Sequence, residues 1–469
     1  MNSFISPIKI ARQKEKLTIK NLSCLSKVPE KTIRQIERGL LVTNNDEIDK
    51  ICRTLNIPSK CYTNNNSIVT PGEGYVTSKA ASGTITPRTI KDIPTDKIKI
   101  FDLFCGAGGL SCGFEQTGKF ITIGGIDLLN DRIKTFTENH PYANGIAGNI
   151  LNYSLDDISS LIGQPDIIVG GPPCQGFSSI RPFRTLTEDD PRNNLVEEYV
   201  LVINRVQPKW FVFENVIGLL NHKNGNKFSA LIKGLQSIGY SLSWKVVNAA
   251  VFGVPQYRER LMIVGNRLNI SFDWPKPTHW IHYKSMAGQN ADLLYKESDF
   301  NNKLLPPVTI MEAIGDLPIV SSGEEANLYS TAPETDYEKY IRNGCNNLNL
   351  HKSTKHSEKM LEIIRHAGAN IYALPKGMVK SGFSSCYSRL EPDRPSNTLT
   401  VNFTNPSSNK CIHPFQNRAL TLREGARIQS FPDTYKFFGT TSQIAKQIGN
   451  AVPPLVGKKI AEQIYTYFL

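Results

Sequence analysis

At 469 residues the chain is long enough for two or three domains with a substantial buried core. Apolar and charged fractions of 40% and 20% exclude a disordered or fibrous protein, and a net charge of +12 favours an anionic partner such as nucleic acid. Nine cysteines without zinc-type or disulfide-framework spacing, no signal-type apolar core and no run near the roughly 18 apolar residues of a membrane span predict a reduced, cytoplasmic protein with no metal site and no membrane association.

Residues 1–60 carry helical periodicity and almost no strand signal. Lys9-Ile-Ala-Arg-Gln-Lys-Glu-Lys16 opens a basic amphipathic helix, and Thr18 is a good N-cap for a second through Leu22 and Leu25. Lys27-Val-Pro29 reads as a short turn, followed by a third helix from about Glu30 to Arg38, closed by Gly39. A fourth, Asp46–Leu55, sets apolar residues at 48, 51 and 55. This order, with Ile33, Ile36 and the Glu37-Arg38-Gly39 ending, resembles the Cro/repressor-type helix-turn-helix. The resemblance implies a third helix in the major groove that offers Lys31, Arg34 and Gln35 to DNA. Residues 1–66 hold twelve Lys/Arg against six Asp/Glu, which suits a DNA-contacting face. The plain alternative is a small helical cap on the next domain.

Residues 61–96 are rich in Asn, Ser, Thr, Gly and Pro and read as a linker. From Lys97, short apolar runs alternate with amphipathic stretches, the pattern of an α/β domain with a mainly parallel sheet. The predicted strands are Ile98–Phe104, Phe120–Gly124, Ile167–Gly170, Trp210–Glu214, Leu242–Asn248 and Leu261–Gly265, with helices at Leu195–Val206 and Phe228–Ile238. The first strand runs into Cys105-Gly-Ala-Gly-Gly-Leu110, where Gly106, Gly108 and Gly109 permit a sharp turn and close approach of a ligand. A tight strand-to-helix connection would use the same glycines. The apolar run from Phe120 ends at Asp127, where a carboxylate can take the hydroxyls of a ribose. No lysine-bearing phosphate loop is present, which argues against a nucleotide triphosphatase.

Asp166-Ile-Ile-Val-Gly-Gly-Pro-Pro-Cys174-Gln-Gly-Phe-Ser178 places a cysteine just past a buried strand, behind two prolines that restrict the loop. An arbitrary cysteine is more often a buried structural thiol. Trp210–Phe213 ends in Glu214-Asn215-Val216, and Gln256-Tyr-Arg258-Glu-Arg260 precedes another strand. Each charge alone reads as a solvated group, but together at strand ends they mark a site. Residues 270–393 turn irregular and rich in Pro, Asn and Ser, as a loop-rich insert, and α/β character returns over 394–469.

The series FDLFCGAGGL, GGPPCQGFS, FENV, QYRER, RPSNTLT, REGARIQSFPD and QIGNAVPP resembles the motifs of the DNA cytosine-5 methyltransferases, over about residues 97–469. The resemblance implies a Rossmann-like, S-adenosylmethionine-dependent methyltransferase domain of 97–269 and 394–469. It also implies a smaller loop-rich target-recognition region, 270–393, behind the all-α helix-turn-helix domain. Cys174 would add to carbon 6 of a flipped-out cytosine, because carbon 5 is a poor nucleophile on its own. Glu214 would engage ring nitrogen 3, with Arg258 and Arg260 near the carbonyl oxygen and the DNA backbone. Phe104, Gly106, Gly108, Gly109, Asp127, Asn149, Ile150, Pro173, Leu195 and Asn450 would line the donor site.

Two positions depart from the family pattern. Gly125 stands where an acidic residue often meets the ribose, with Asp127 two residues on, and Asn149 stands where Asp usually accepts from the adenine amino group. The end of the insert, GFSSCYSRLEPDRPSNTLTVNF, mixes residues able to contact bases with residues that suit phosphate contact or loop packing, and it resembles enzymes that modify GG/CC-type sites. The implied partners are double-stranded DNA, operator DNA of its own operon through the N-terminal module, and a cognate restriction endonuclease. An RNA methyltransferase on the same catalytic domain would leave both DNA-binding regions without a purpose.

Overall fold

A computed structural model describes residues 7–15, 17–30, 32–33, 45–55, 84–86, 93–173, 194–221, 225–282, 285–287, 294–296, 299, 303–379 and 382–469. The chain divides into two compact units, 1–84 and 85–469. Among the described residues no helix is long and apolar enough to cross a membrane.

The first unit holds helices Pro7–Lys14, Ile19–Ser26 and Asn45–Thr54. Thr18 caps the second as predicted, its side chain accepting from Asn21 N at 3.1 Å, and Lys27, at φ 55°, ends it in the left-handed region. Ile8, Leu22, Val28, Ile33, Ile51, Cys52 and Leu55 form its core. Lys31, Arg34 and Gln35 lie outside the described residues.

An eight-stranded sheet comprises β1 (Thr84–Thr86), which begins at the last residue of the first unit, and, in the second unit, β2 (Ile98–Leu103), β3 (Phe120–Asp127), β4 (Asn144–Ala147), β5 (Ile167–Gly170), β6 (Trp210–Asn215), β7 (Ser241–Asn248) and β8 (Glu259–Asn266). Their spatial order is β1-β4-β3-β2-β5-β6-β8-β7. From β4 to β6 the pairs are parallel, while β8 runs antiparallel to β6 and to β7. The six predicted strands all form, although the first stops one residue early because Phe104 takes a φ of +60° that a strand does not adopt. Two strands of this sheet were not predicted. β4 reads Asn-Gly-Ile-Ala, too short and too turn-like to carry a period, and β1 lies within the expected linker.

After β2 the chain first builds β3 and β4 on one side, then returns to place β5 and β6 on the other. The C-terminal ends of β2 and β5 therefore border a topological switch point, where open α/β sheets bind ligands. Among the described residues, three large cores hold this arrangement. One lies between the sheet and helices Leu155–Ile162, Asn194–Val206 and Asn226–Ser237. A second packs the C-terminal helix Pro454–Tyr465 against helix Gly109–Glu115, so closely that a Cβ on Gly113 would stand 2.2 Å from Pro454 O. The third joins Ile310, Ala313, Tyr337, Ile341, Leu390 and Leu399 to Leu420, Phe431, Tyr435 and Ile448, so the loop-rich segment and the C-terminal return share apolar burial.

Candidate active site

The turn after β2 runs through three residues of positive φ. Phe104, Gly106 and Gly108 have φ values of +60°, +52° and +82°, and Gly108 begins helix Gly109–Glu115. A Cβ on Gly109 would stand 2.2 Å from Val452 O, which only glycine permits. At Gly106 a Cβ would meet nothing within 4 Å, and the residue is half-buried. That uncovered backbone is a cradle of the kind a cofactor with a charged or polar tail occupies.

Asp127, at the end of β3, accepts from Gly106 N at 3.0 Å through Oδ2 and from Leu129 N at 3.1 Å through Oδ1. The carboxylate predicted to hold a ribose thus braces the glycine turn. Asn149 is also engaged locally: its Oδ1 accepts from Leu151 N at 3.1 Å, which consumes one of the two lone pairs expected for an adenine amino group. The Ile150 side chain is buried in the core rather than lining a cleft. Leu195 and Phe104 are half-buried, while Pro173 and Asn450 are exposed.

Glu214 is the penultimate residue of β6. A Cβ at Gly171 would stand 2.8 Å from Glu214 Oε2, so the absent side chain leaves that oxygen uncovered toward Gly171–Pro173. Asn215, which the sequence reading gave no role, donates from Nδ2 to Pro172 O at 3.1 Å and pins the Pro-Pro stem to β6. This stem leads into Cys174, which lies outside the described residues. Arg260 Nε meets Glu214 Oε1 at 3.0 Å, and the Glu214 side chain is 12% exposed. Burial raises the Glu214 pKa above the ordinary carboxylate value, with Arg260 and Arg258 opposing it only in part.

Arg258 differs from its partner. It is 2% exposed, and its terminal nitrogens donate to Gly449 O at 3.1 Å and Leu399 O at 3.5 Å, inside the protein rather than toward a substrate. A small cavity lined by Arg258, Arg260, Met262 and Pro453 adjoins it. The other buried polar links have the same effect. Gln256 donates to Gln429 Oε1 at 2.9 Å and accepts from Leu399 N at 2.8 Å, and Gln429 donates to Ile448 O at 2.7 Å. The QYRER, RPSNTLT, REGARIQSF and QIGN segments are therefore one hydrogen-bonded assembly behind the site. Alternation in the sequence carries no trace of these long-range bonds.

Residues 98–466 match the family model described as C-5 cytosine-specific DNA methylase. Similar curated proteins include the type II methyltransferase M1.HphI of Haemophilus parahaemolyticus, 32% identical, with 77% of this chain and 85% of that protein covered. M.NgoFVII of Neisseria gonorrhoeae is 34% identical, with 80% and 88% covered. Among solved structures, a chain described as a prophage-encoded DNA modification methyltransferase (E. coli) superposes with a TM-score of 0.62 at 23% identity, over 79% of this chain and 99% of that one.

Proposed function

Because the chain belongs to the C-5 cytosine-specific DNA methylases, we propose that it methylates carbon 5 of a flipped-out cytosine in a specific double-stranded DNA sequence, through a covalent Cys174 adduct. The observation that carries the mechanism is the placement of Glu214. A carboxyl whose pKa burial raises stands beside the Gly171–Pro173 stem that carries the cysteine. The Cys174 sulfur adds its electron pair to carbon 6, and the ring electrons shift toward nitrogen 3 and carbon 5. Glu214 shares its proton with nitrogen 3, which relieves the charge, and a raised pKa keeps that proton available near neutral pH. Arg260 holds one Glu214 oxygen and leaves the other for the ring.

When bound, S-adenosylmethionine supplies the methyl group as an electrophile and leaves as S-adenosylhomocysteine. The uncovered Gly106 backbone and the partly exposed Phe104 fit such a donor, with Gly108, Gly109 and Asp127 shaping the turn, and Asn149, Pro173, Leu195 and Asn450 are proposed from their family positions to complete the donor site. Ile150 contributes through its backbone, since its side chain is in the core. Loss of the carbon 5 proton to a base then returns electrons to the ring and expels the Cys174 sulfur. Arg258 acts as a positioning residue by tying Leu399 and Gly449 behind the site.

Residues 270–393 are proposed to select the target sequence and the modification to protect host DNA from a cognate restriction endonuclease. Residues 1–60, whose own core supports an independent module, are proposed to bind operator DNA as a helix-turn-helix. Duplex DNA synthesised with 5-fluorocytosine blocks the proton-loss step and tests the chemistry. The wild-type chain should form a denaturant-stable, donor-dependent DNA complex that Cys174→Ser lacks. A complex that persists with Cys174→Ser would overturn the assignment.

A further inference from the structure

The glycine turn is backed by side chains that the mechanism above does not use. Tyr435 Oη donates to Ala107 O, across 328 residues of chain, and lies 3.3 Å from His140 Nε2. His140 Nδ1 is 2.8 Å from Glu115 Oε2, and Glu115 Oε1 accepts from Thr122 N at 2.9 Å. Burial alone would raise the Glu115 pKa, but the charge and hydrogen bond of His140 outweigh it and hold the carboxyl below its usual range. Glu115 is therefore the acceptor in its contact with His140.

The space beneath the turn is full. A Cβ on Gly108 would stand 2.6 Å from His140 Nε2 and 2.9 Å from both the Phe136 ring and Tyr435 Oη. At Gly106, by contrast, a Cβ would meet nothing within 4 Å. The peptide between Ala107 and Gly108 is held at both ends, since Gly108 N donates to Cys105 O at 2.7 Å while Tyr435 holds Ala107 O. Gly108, whose φ turns in a flip of that peptide, offers little torsional resistance to it. The hydroxyl of Tyr435 supplies the resistance that the backbone lacks.

We propose that the row Glu115–His140–Tyr435 is a positioning device that locks the Ala107–Gly108 peptide in the form that binds the methyl donor. The inference rests on the donor-site reading of the glycine turn. Tyr435→Phe removes the lock and keeps the ring packed between Phe431 and Phe437, whose centroids are 4.8 and 5.3 Å away. Tyr329→Phe is its control. It removes a half-buried phenol that donates to Asp433 in the same C-terminal segment, at 2.6 Å, without touching the turn.

Calorimetric titration of the full chain with S-adenosylhomocysteine tests the proposal. Tyr435→Phe should bind about tenfold more weakly, the loss of one buried hydrogen bond. Its KM for the donor should rise, while turnover at saturating donor and affinity for DNA stay unchanged. Glu115→Gln, at the far end of the row, keeps an acceptor and should cost about twofold. Tyr329→Phe should bind as wild type does. Equal weakening by Tyr435→Phe and Tyr329→Phe, or wild-type affinity in Tyr435→Phe, would overturn the positioning role alone. Absence of binding by the wild-type chain would overturn the donor-site reading and this inference with it.

Discussion

Two buried glutamates in this chain, each beside an arginine, have been driven in opposite directions. Glu424 is 1% exposed and fully satisfied: Arg418 donates to its two oxygens at 2.8 and 2.7 Å, and Thr421 N adds a third bond. Burial alone would raise its pKa, but Arg418 outweighs burial and holds it well below the ordinary range. Glu214 has Arg260 on one oxygen, and there burial prevails and raises the pKa. A neighbouring cluster, Arg427 between Asp316 and Asp433, repeats the Glu424 solution. A structural carboxylate is one whose lone pairs are spent inside the protein, whereas the Glu214 site leaves a lone pair, and the proton that can sit on it, for a partner.

The sharpest way to break this contrast is to neutralise each group in turn. Glu214→Gln should lower turnover by about 10²–10⁴-fold, the range for a general acid, without lowering the melting temperature. Arg418→Met should do the reverse. Stranding Glu424 in the core costs about 3–5 kcal/mol of stability, read by denaturant unfolding, while the folded fraction keeps its specific activity. If the two variants lose stability equally, Glu214 is a structural residue and the contrast fails.

The glycine turn extends the comparison on a smaller scale. Gly106→Ala meets no atom and costs only the left-handed strain of about 1–2 kcal/mol, so it should stay folded and lose donor binding in titration. Gly108→Ala collides with His140, Phe136 and Tyr435 and should lose thermal stability as well. Donor binding unchanged in Gly106→Ala would remove the open face from the site.

Smallest in effect is the pH response. Glu424 and Asp433 are depressed, so their stabilisation is present above their ordinary values near 4.5 and 3.8 and is lost as pH falls through their lower folded values. Glu214 is raised, so it costs stability as pH climbs from about 4.5 through its folded value, and the proton it shares with the base is lost over the same interval. kcat/KM should fall on that alkaline side, and a profile that rises there would contradict the acid role.

The sheet was legible because its strands are apolar runs of four to eight residues bounded by turn signals, and six were located on that basis. Cys174 and Glu214 stood out because chemistry-bearing residues follow such strands directly. What the sequence hid is what depends on distance. Arg258 and Arg260 look equivalent two residues apart, yet Arg258, just before β8, reaches the Leu399 and Gly449 carbonyls while Arg260, on the strand, pairs with Glu214. Asp127, Asn149 and Ile150 were placed by motif position, and their local hydrogen bonds and burial alter what each has left to offer. Tyr435 and His140 carry no motif of their own, and only the fold brings them beneath the glycine turn.

The most direct test of the central claim is bisulfite sequencing of DNA from cells that express the wild-type chain, Cys174→Ser or Glu214→Gln. The account predicts protected cytosines within one short sequence for the wild type, and none for either variant despite normal folding. Protection that survives in Cys174→Ser, or none at all with folded, donor-supplied wild-type protein, would contradict it.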